Sequence, residues 1–356
     1  MRHILFVLGT GYLPVSITGG NVSLHALCKR LIAAGFDPIV VCTPDPPEAA
    51  RPENAHPITD YNVLRLTDPV AAMLEIIGRL NPEAVVVRGL SAAVRAAQFK
   101  AALEYPLRIH VLRSPAGYAL PPHSATPRWR YAANSHFLVR LLEAYLGGPV
   151  DLVPSLVEPA DYRCKPNGEA VLFINPIAEK GVHIAAGIAE RLSHRRFLFV
   201  RSWPEHWNNP AAPVRLANVE WAASTLDMRE LYARTRVLLV PSVWEESSCR
   251  AVAEAHLSGI PAVASDRGGL RESVGPGGIV MSLADPIERW CESVESLYTD
   301  QAKFERLSRL ARQHVRRREI APASVMASFY RFIGIDAAPA RAAIPRRAAA
   351  KRHRGV

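Results

Sequence analysis

A chain of 356 residues is long enough for two domains with separate cores, and a composition of 49% hydrophobic and 21% charged residues excludes a disordered or fibrous chain. No apolar run approaches the roughly 18 residues of a membrane-spanning helix, and five scattered cysteines without a CxxC pair exclude a disulfide framework or a thiolate metal centre. The net charge is +10, but six basic and no acidic side chains fall in the last twenty residues, so the excess belongs to a tail rather than to the body.

Taken in chain order, residues 3–8 predict a buried first strand. This run is too short for a signal peptide and is followed by Gly9-Thr10-Gly11, not a cleavage site. Residues 9–20 form a loop. Residues 21–34 predict a helix with Leu24, Leu27, Cys28 and Leu31 on one face, closed by Gly35. Residues 38–42, 84–87 and 109–112 are further buried strands, with a helix over 92–103 between the last two. Residues 131–145 predict a helix leading into Val150-Asp151-Leu152-Val153-Pro154.

The turn-rich stretch 158–168 reads as a linker. Strand and helix then alternate again. Strands are expected at 170–175, 197–200, 219–221, 237–240, 262–264 and 278–280, and helices at 180–192, 286–298, 301–317 and 322–333. Such alternation implies doubly wound parallel sheets, an α/β chain of two Rossmann-like domains. The boundaries are 1–157 and 158–324, with 337–356 a disordered basic tail rich in Ala, Pro and Arg.

The richest chemistry lies at a strand-to-helix junction. Glu246 follows the apolar run Val237-Leu238-Leu239-Val240 and Pro241-Ser242, at the carboxyl end of a strand. Glu254 comes eight positions later, about two turns into the next helix. Between them Ser247, Ser248 and Cys249 open that helix, whose free amide hydrogens suit a phosphate or sugar oxygen. In open α/β sheets ligands bind at this edge.

Pro241-Ser242, Glu246, Glu254-Ala255, Ser258-Gly259, Ile260-Pro261-Ala262-Val263-Ala264-Ser265 and Gly268-Gly269 followed by Glu272 resemble the donor-site signature of retaining glycosyltransferases of family 4. The resemblance implies the GT-B fold, two Rossmann-like domains facing a cleft, with the last helix (325–335) packed back on the first domain. It gives Glu246 the donor sugar hydroxyls and Glu254 the ribose hydroxyls. Lys180, in Glu179-Lys180-Gly181-Val182, falls where these enzymes grip the donor phosphates. A cation there suits the charge that builds on a leaving diphosphate. Gly19-Gly20 matches a loop that lies against donor phosphates and acceptor, and glycine lets the backbone approach a ligand closely.

The chain also departs from the family. The Gly-Arg that usually precedes Lys-Gly is replaced by Asn175-Pro176-Ile177, so one phosphate cation is missing, and Arg201 is its expected substitute. Trp203 and Trp207 stand where a glycine-rich turn is usual. The histidine that contacts the donor sugar in relatives is replaced by Arg113, which with Arg88 is expected on the acceptor side; His110 reads as a core histidine. Pro14 at the third glycine position of Gly9-Thr10-Gly11 argues against a dinucleotide site. There is no Asp-x-Asp motif to hold a metal beneath a diphosphate, so no metal and no cofactor are expected.

The expected function is metal-independent transfer of a sugar, with retention, from a nucleotide-diphosphate donor to an acceptor hydroxyl on a glycan, a lipid-linked molecule or a small molecule. The alternatives are a GT-B sugar-nucleotide epimerase, which needs no acceptor, and a non-catalytic nucleotide-sugar-binding protein. The expected location is cytoplasmic, with peripheral contact between the basic tail and anionic membrane. No nucleic-acid partner is expected, because no aromatic residues interleave the basic ones.

Overall fold

A computed structural model describes residues 2–44, 59–201 and 214–336. The tail 337–356, Trp203 and Trp207 lie outside the described residues. The first half runs β1 (Arg2–Leu8), α1 (Gly19–Ala33), β2 (Phe36–Cys42), β3 (Asn62–Arg65), α2 (Pro69–Leu80), β4 (Ala84–Arg88), α3 (Leu90–Ala96), α4 (Lys100–Glu104), β5 (Arg108–Val111), β6 (Arg130–Ala133), α5 (His136–Leu146) and β7 (Val150–Leu152). Its seven strands form one parallel sheet in the order β3-β2-β1-β4-β5-β6-β7.

The second half runs α6 (Pro159–Tyr162), β8 (Ala170–Ile174), α7 (Val182–Arg191), β9 (Phe197–Val200), β10 (Val219–Ala222), α8 (Arg229–Ala233), β11 (Thr235–Val240), α9 (Arg250–Leu257), β12 (Ala262–Ser265), α10 (Leu270–Val274), β13 (Gly278–Met281), α11 (Ile287–Thr299), α12 (Gln301–His314) and α13 (Pro322–Ile333). Its six strands, also parallel, follow the order β10-β9-β8-β11-β12-β13. The central strands are apolar on both faces, as parallel sheets covered by helices on both sides require; Ile4, Leu5, Phe6, Val7 and Val85, Val86, Val87 are all fully buried.

Strand order reverses once in each sheet, between β1 and β4 in the first and between β8 and β11 in the second. Adjacent crossovers diverge at these points, leaving a crevice at the carboxyl ends of the strands. Helix α13 lies on the first sheet. Val325, Met326, Phe329 and Phe332 join the core of Ile4, Phe6 and Leu24, and Phe329 stacks on Phe6 at 6.0 Å between ring centres. No helix among the described residues is long and apolar enough to cross a membrane.

The structure corrects several local expectations. Residues 131–145 are not one helix: 130–133 form β6, and the helix begins at His136 after Ser135, whose hydroxyl accepts the Leu138 amide at 3.2 Å. An N-cap of this kind ends the strand and starts the helix. The predicted helix over 92–103 is two, α3 and α4. Strand β3 and helices α2, α8 and α10 lie outside the predicted set. Lys180 ends a 3-10 turn (Ala178–Lys180) and does not open α7. Glu254 lies just over one turn into α9, not two.

Candidate functional site

At the reversal point of the second sheet, the loops after β8 and β11 meet. Lys180 comes from the first of these loops and Glu246 from the second. Lys180 Nζ donates to Glu246 Oε1 at 2.5 Å, and the Ser242 hydroxyl donates to the same oxygen at 2.6 Å. Ser242 is held in turn by the Ser265 hydroxyl, which donates to its carbonyl at 2.6 Å. Lys180 Nζ also lies 4.7 Å from the centre of the Trp244 ring. Both charges are largely out of water, with the side chains 17% and 8% exposed. A buried pair of this kind adds little net stability, but removing one partner strands the other charge. Only a ligand that satisfies both partners can therefore replace the pair at low cost.

Glycines make this meeting possible. Gly181 has φ +78°, and a Cβ on it would stand 2.0 Å from the Pro241 carbonyl oxygen. The Glu179 carbonyl then accepts the amides of Val243 and Trp244 at 3.0 and 3.3 Å, tying the two loops together. On the other side of Glu246, Gly268 forms a parallel bridge with it, and the Gly269 amide donates to its carbonyl at 2.6 Å. A Cβ on Gly268 would stand 2.2 Å from the Glu246 carbonyl oxygen, so the close approach requires glycine.

Glu254 is buried in α9. Its Oε2 accepts the Tyr232 hydroxyl at 2.7 Å, and its Oε1 accepts Arg250 Nε at 2.6 Å. Arg250 also donates to the Leu156 carbonyl and, at 2.8 Å, to the Tyr162 hydroxyl. Burial raises the Glu254 carboxyl above its ordinary range, opposed by the Arg250 charge. Each oxygen retains a lone pair for a further donor. Burial pushes the Cys249 thiol up to about 12, which makes it a neutral residue and not a nucleophile.

The first sheet closes over this group. Gly19 and Gly20 open α1, with Thr18 as its cap: the Thr18 hydroxyl accepts the Asn21 amide at 3.2 Å. The Asn21 side chain ties the loop below, donating to the carbonyls of Ser16 and Gly11 at 2.8 and 3.1 Å. A Cβ on Gly19 would stand 3.7 Å from the Arg250 side chain, so the two halves are in near contact there. The Ser247 hydroxyl donates to the Leu112 carbonyl at 2.7 Å, and Asn134 Nδ2 reaches the Ser247 and Ser248 hydroxyls at 3.3 and 3.0 Å. Asn134, Trp244, Ser242, Tyr232 and Arg250 were missed by sequence reasoning. Of these, Ser242 stands beside the strand-ending Pro241 and Arg250 stands four positions before Glu254 on the same helix, so both carry a local signal.

Of the expected site residues, Lys180, Glu246, Ser247, Ser248, Cys249, Glu254, Gly19 and Gly20 gather around this junction. Arg88 is buried beneath it, and its NH1 donates to the Gly20 carbonyl at 3.1 Å. Arg113 is exposed, 4.6 Å over the Tyr118 ring, and Arg201 is exposed, 5.2 Å from the Trp221 ring centre at the end of β9. Strand β9 is two strands from β11, so Arg201 stands to one side of the Lys180–Glu246 pair. His110 is a core histidine: it is 4% exposed, and burial holds it neutral, well below its ordinary range.

One group among the described residues has the composition of a metal site, with atoms of His136, Glu272 and Glu319 within 4.8 Å of one another. Its oxygens already have protein partners. Glu272 accepts the amides of His136 and Phe137 at 3.1 and 3.2 Å, capping α5 across the two halves. Glu319 pairs with Arg317 and His136 at 2.8 and 3.2 Å.

Residues 168–300 match the family model described as Glycosyl transferases group 1. No curated protein matches the chain. Among solved structures, it is similar to sucrose-phosphate synthase from Thermosynechococcus elongatus, with TM-score 0.73, 15% identity, and 93% of this chain and 98% of that one covered. It is similar to Anabaena HepE in complex with UDP and glucose, with TM-score 0.73, 17% identity and coverage of 94% and 100%. It is also similar to WaaG, a glycosyltransferase of lipopolysaccharide biosynthesis, with TM-score 0.66, 14% identity and coverage of 91% and 98%. These likenesses show the GT-B fold of two parallel-sheet α/β domains. Together, the group 1 domain and this architecture support an enzyme of glycosyl transfer.

Proposed function

We propose that the chain transfers a sugar with retention, and without a metal, from a nucleoside diphosphate to an acceptor hydroxyl. The observation that carries this reading is the buried Lys180–Glu246 pair at the reversal point of the second sheet. In the resting molecule each side chain neutralises the other. In the complex, Lys180 turns to the diphosphate and Glu246 to the sugar hydroxyls, so the ligand's own charge and donors replace the pair. Glu254 takes the ribose hydroxyls on its remaining lone pairs, and the α9 amides behind Ser247, Ser248 and Cys249 face phosphate or sugar oxygens. Arg113 belongs to the acceptor side.

In the chemical step the bond from the anomeric carbon to the diphosphate oxygen breaks. The acceptor oxygen bonds on the face that the diphosphate leaves, and the acceptor proton passes to the departing diphosphate. Glu246 orients the sugar and takes no proton. The contacts of Ser247 with Leu112 and Asn134 hold the halves together over the site and limit hydrolysis by water. HepE, a structural neighbour, was crystallised with UDP and with UDP-glucose, which makes uridine donors the first to test.

The test is a thermal-shift panel of UDP, GDP, ADP and TDP sugars, followed by determination of the product anomer. A donor at 100 Kd stabilises the chain by about 2.7 kcal/mol. A panel without any shift, or an inverted product, contradicts the reading. Conversion of the donor sugar without any acceptor favours the epimerase alternative, and tight nucleotide binding without turnover favours the non-catalytic binding protein.

A further inference from the structure

With Asn175-Pro176-Ile177 before it, Lys180 is the one Lys or Arg in the loops after β8 and β11, residues 175–181 and 241–249, for a group carrying two or more negative charges. Asn175 does contribute a donor there: it is 4% exposed, has φ +63°, and its Nδ2 has no hydrogen-bond partner. It brings no charge. Across the cleft, the reversal point of the first sheet holds a cation whose own half does not neutralise it. Arg88 ends β4 beside β1 and is 6% exposed. Its NH1 donates to the carbonyl of Gly20 in the first turn of α1, and its Nε has no partner. Among the described residues no carboxylate pairs with it.

A buried guanidinium without an anion is costly, and such groups are ordinarily paired. Burial lowers Arg88 only to about 10, so it remains a cation at neutral pH. Its guanidinium sits against the first turn of a helix of 15 residues, through the Gly20 carbonyl, and at that end the peptide dipoles already favour an anion. The turn is opened by Gly19, which is exposed and faces the second half.

We infer that Arg88 and the first turn of α1 form an oxyanion site for the donor's diphosphate, supplying from the first sheet the second cation that Asn175-Pro176-Ile177 lacks. The inference rests on the proposed donor class and adds a residue to it. Arg88 acts through the Gly19-Gly20 turn, as a positioning and charge-bearing residue. It also divides the phosphate charge between the two halves, so binding the diphosphate draws them together.

Inorganic pyrophosphate tests this without knowledge of the base. Its affinity is measured for the full chain and for Arg88→Gln, Arg88→Lys and Lys180→Met. Gln keeps a donor for the Gly20 carbonyl and removes the charge, whereas Lys keeps the charge. Arg88→Gln is expected to weaken pyrophosphate about tenfold, the effect of one charge at a helix end. Arg88→Lys is expected to stay within about threefold of the full chain, and the Gln deficit is expected to shrink as salt rises. Equal weakening by Gln and Lys means that Arg88 only supports the loop, and overturns the inference. Undiminished binding by Arg88→Gln beside a weakened Lys180→Met also overturns it, and leaves the proposed function standing. Undiminished binding by all three variants overturns both. If Arg88→Gln does not fold, a weakened Arg88→Lys with unchanged melting temperature and unchanged salt slope overturns the inference as well.

Discussion

The two reversal points are built alike and charged differently. In the second sheet the cation is neutralised within the half that carries it, Lys180 by Glu246 at 2.5 Å. In the first, Arg88 donates to the Gly20 carbonyl and pairs with no carboxylate among the described residues. The second point is complete without a ligand and must give up a contact to bind one. The first gains a full counter-charge when a ligand arrives. A pair exchanged on binding gives selectivity, because only a ligand with both phosphate and sugar hydroxyls satisfies both partners. An unpaired cation gives attraction to any oxyanion.

The sharpest way to break this comparison is to remove the cation of the second point. Lys180→Met strands the Glu246 carboxylate and is expected to lower transfer by about 10²–10³-fold, with no rescue by added magnesium. Activity of the full chain that collapses in EDTA contradicts the metal-free reading. Next in size is the support of the first sheet. Phe329→Ala removes a ring fully buried against Phe6 and is expected to cost about 3–5 kcal/mol. Because α13 packs on the first sheet, hydrogen exchange should rise in β1 and α1 before it rises in β11. Uniform acceleration in both sheets contradicts that placement.

A smaller effect separates nucleotide from sugar. Glu254→Ala leaves ribose hydroxyls without an acceptor and is expected to weaken free nucleoside diphosphate by about 1–3 kcal/mol, read by calorimetry. Unchanged affinity removes Glu254 from the ribose site and leaves it as the partner of Arg250 and Tyr232. Smallest is the tail. Cutting after Ile335 is expected to leave melting temperature and activity on a soluble acceptor unchanged. Binding to anionic vesicles should fall, by about 1 kcal/mol for each basic residue near the surface. Equal vesicle binding by both forms removes the membrane contact.

How much of this was legible in the chain follows from where the signals lie. Glu246 and Lys180 could be found because each follows a short apolar run and belongs to a motif with a glycine that a close backbone approach demands, Gly181 next to Lys180 and Gly268 near the end of the run from Pro241 to Glu272. Strand β6 was not legible, because Tyr131, Ala132 and Ala133 suit a helix as well as a strand. Only pairing with β5 and β7 decides between them. Strand β3 is an edge strand of alternating exposure, with too few apolar residues to stand out. Asn134 reaches Ser247 across 113 positions, and no local pattern encodes such a contact. The missing phosphate cation is expected from the sequence at Arg201, because that arginine ends the next strand of the same half. The buried and unpaired Arg88, on the opposite sheet, shows itself only once Gly20 is placed over it.

The central claim is that Glu246 serves the sugar and not the nucleotide, and Glu246→Gln tests it most directly. The variant keeps the size and the hydrogen bond from Ser242 while removing the charge opposite Lys180. With the donor that most stabilises the full chain, transfer and nucleoside diphosphate affinity are measured on the same preparation. The expected result is a loss of transfer of about 10²-fold or more, with nucleoside diphosphate affinity equal to or tighter than that of the full chain, because Lys180 is freed for the phosphates. Turnover equal to that of the full chain contradicts the account.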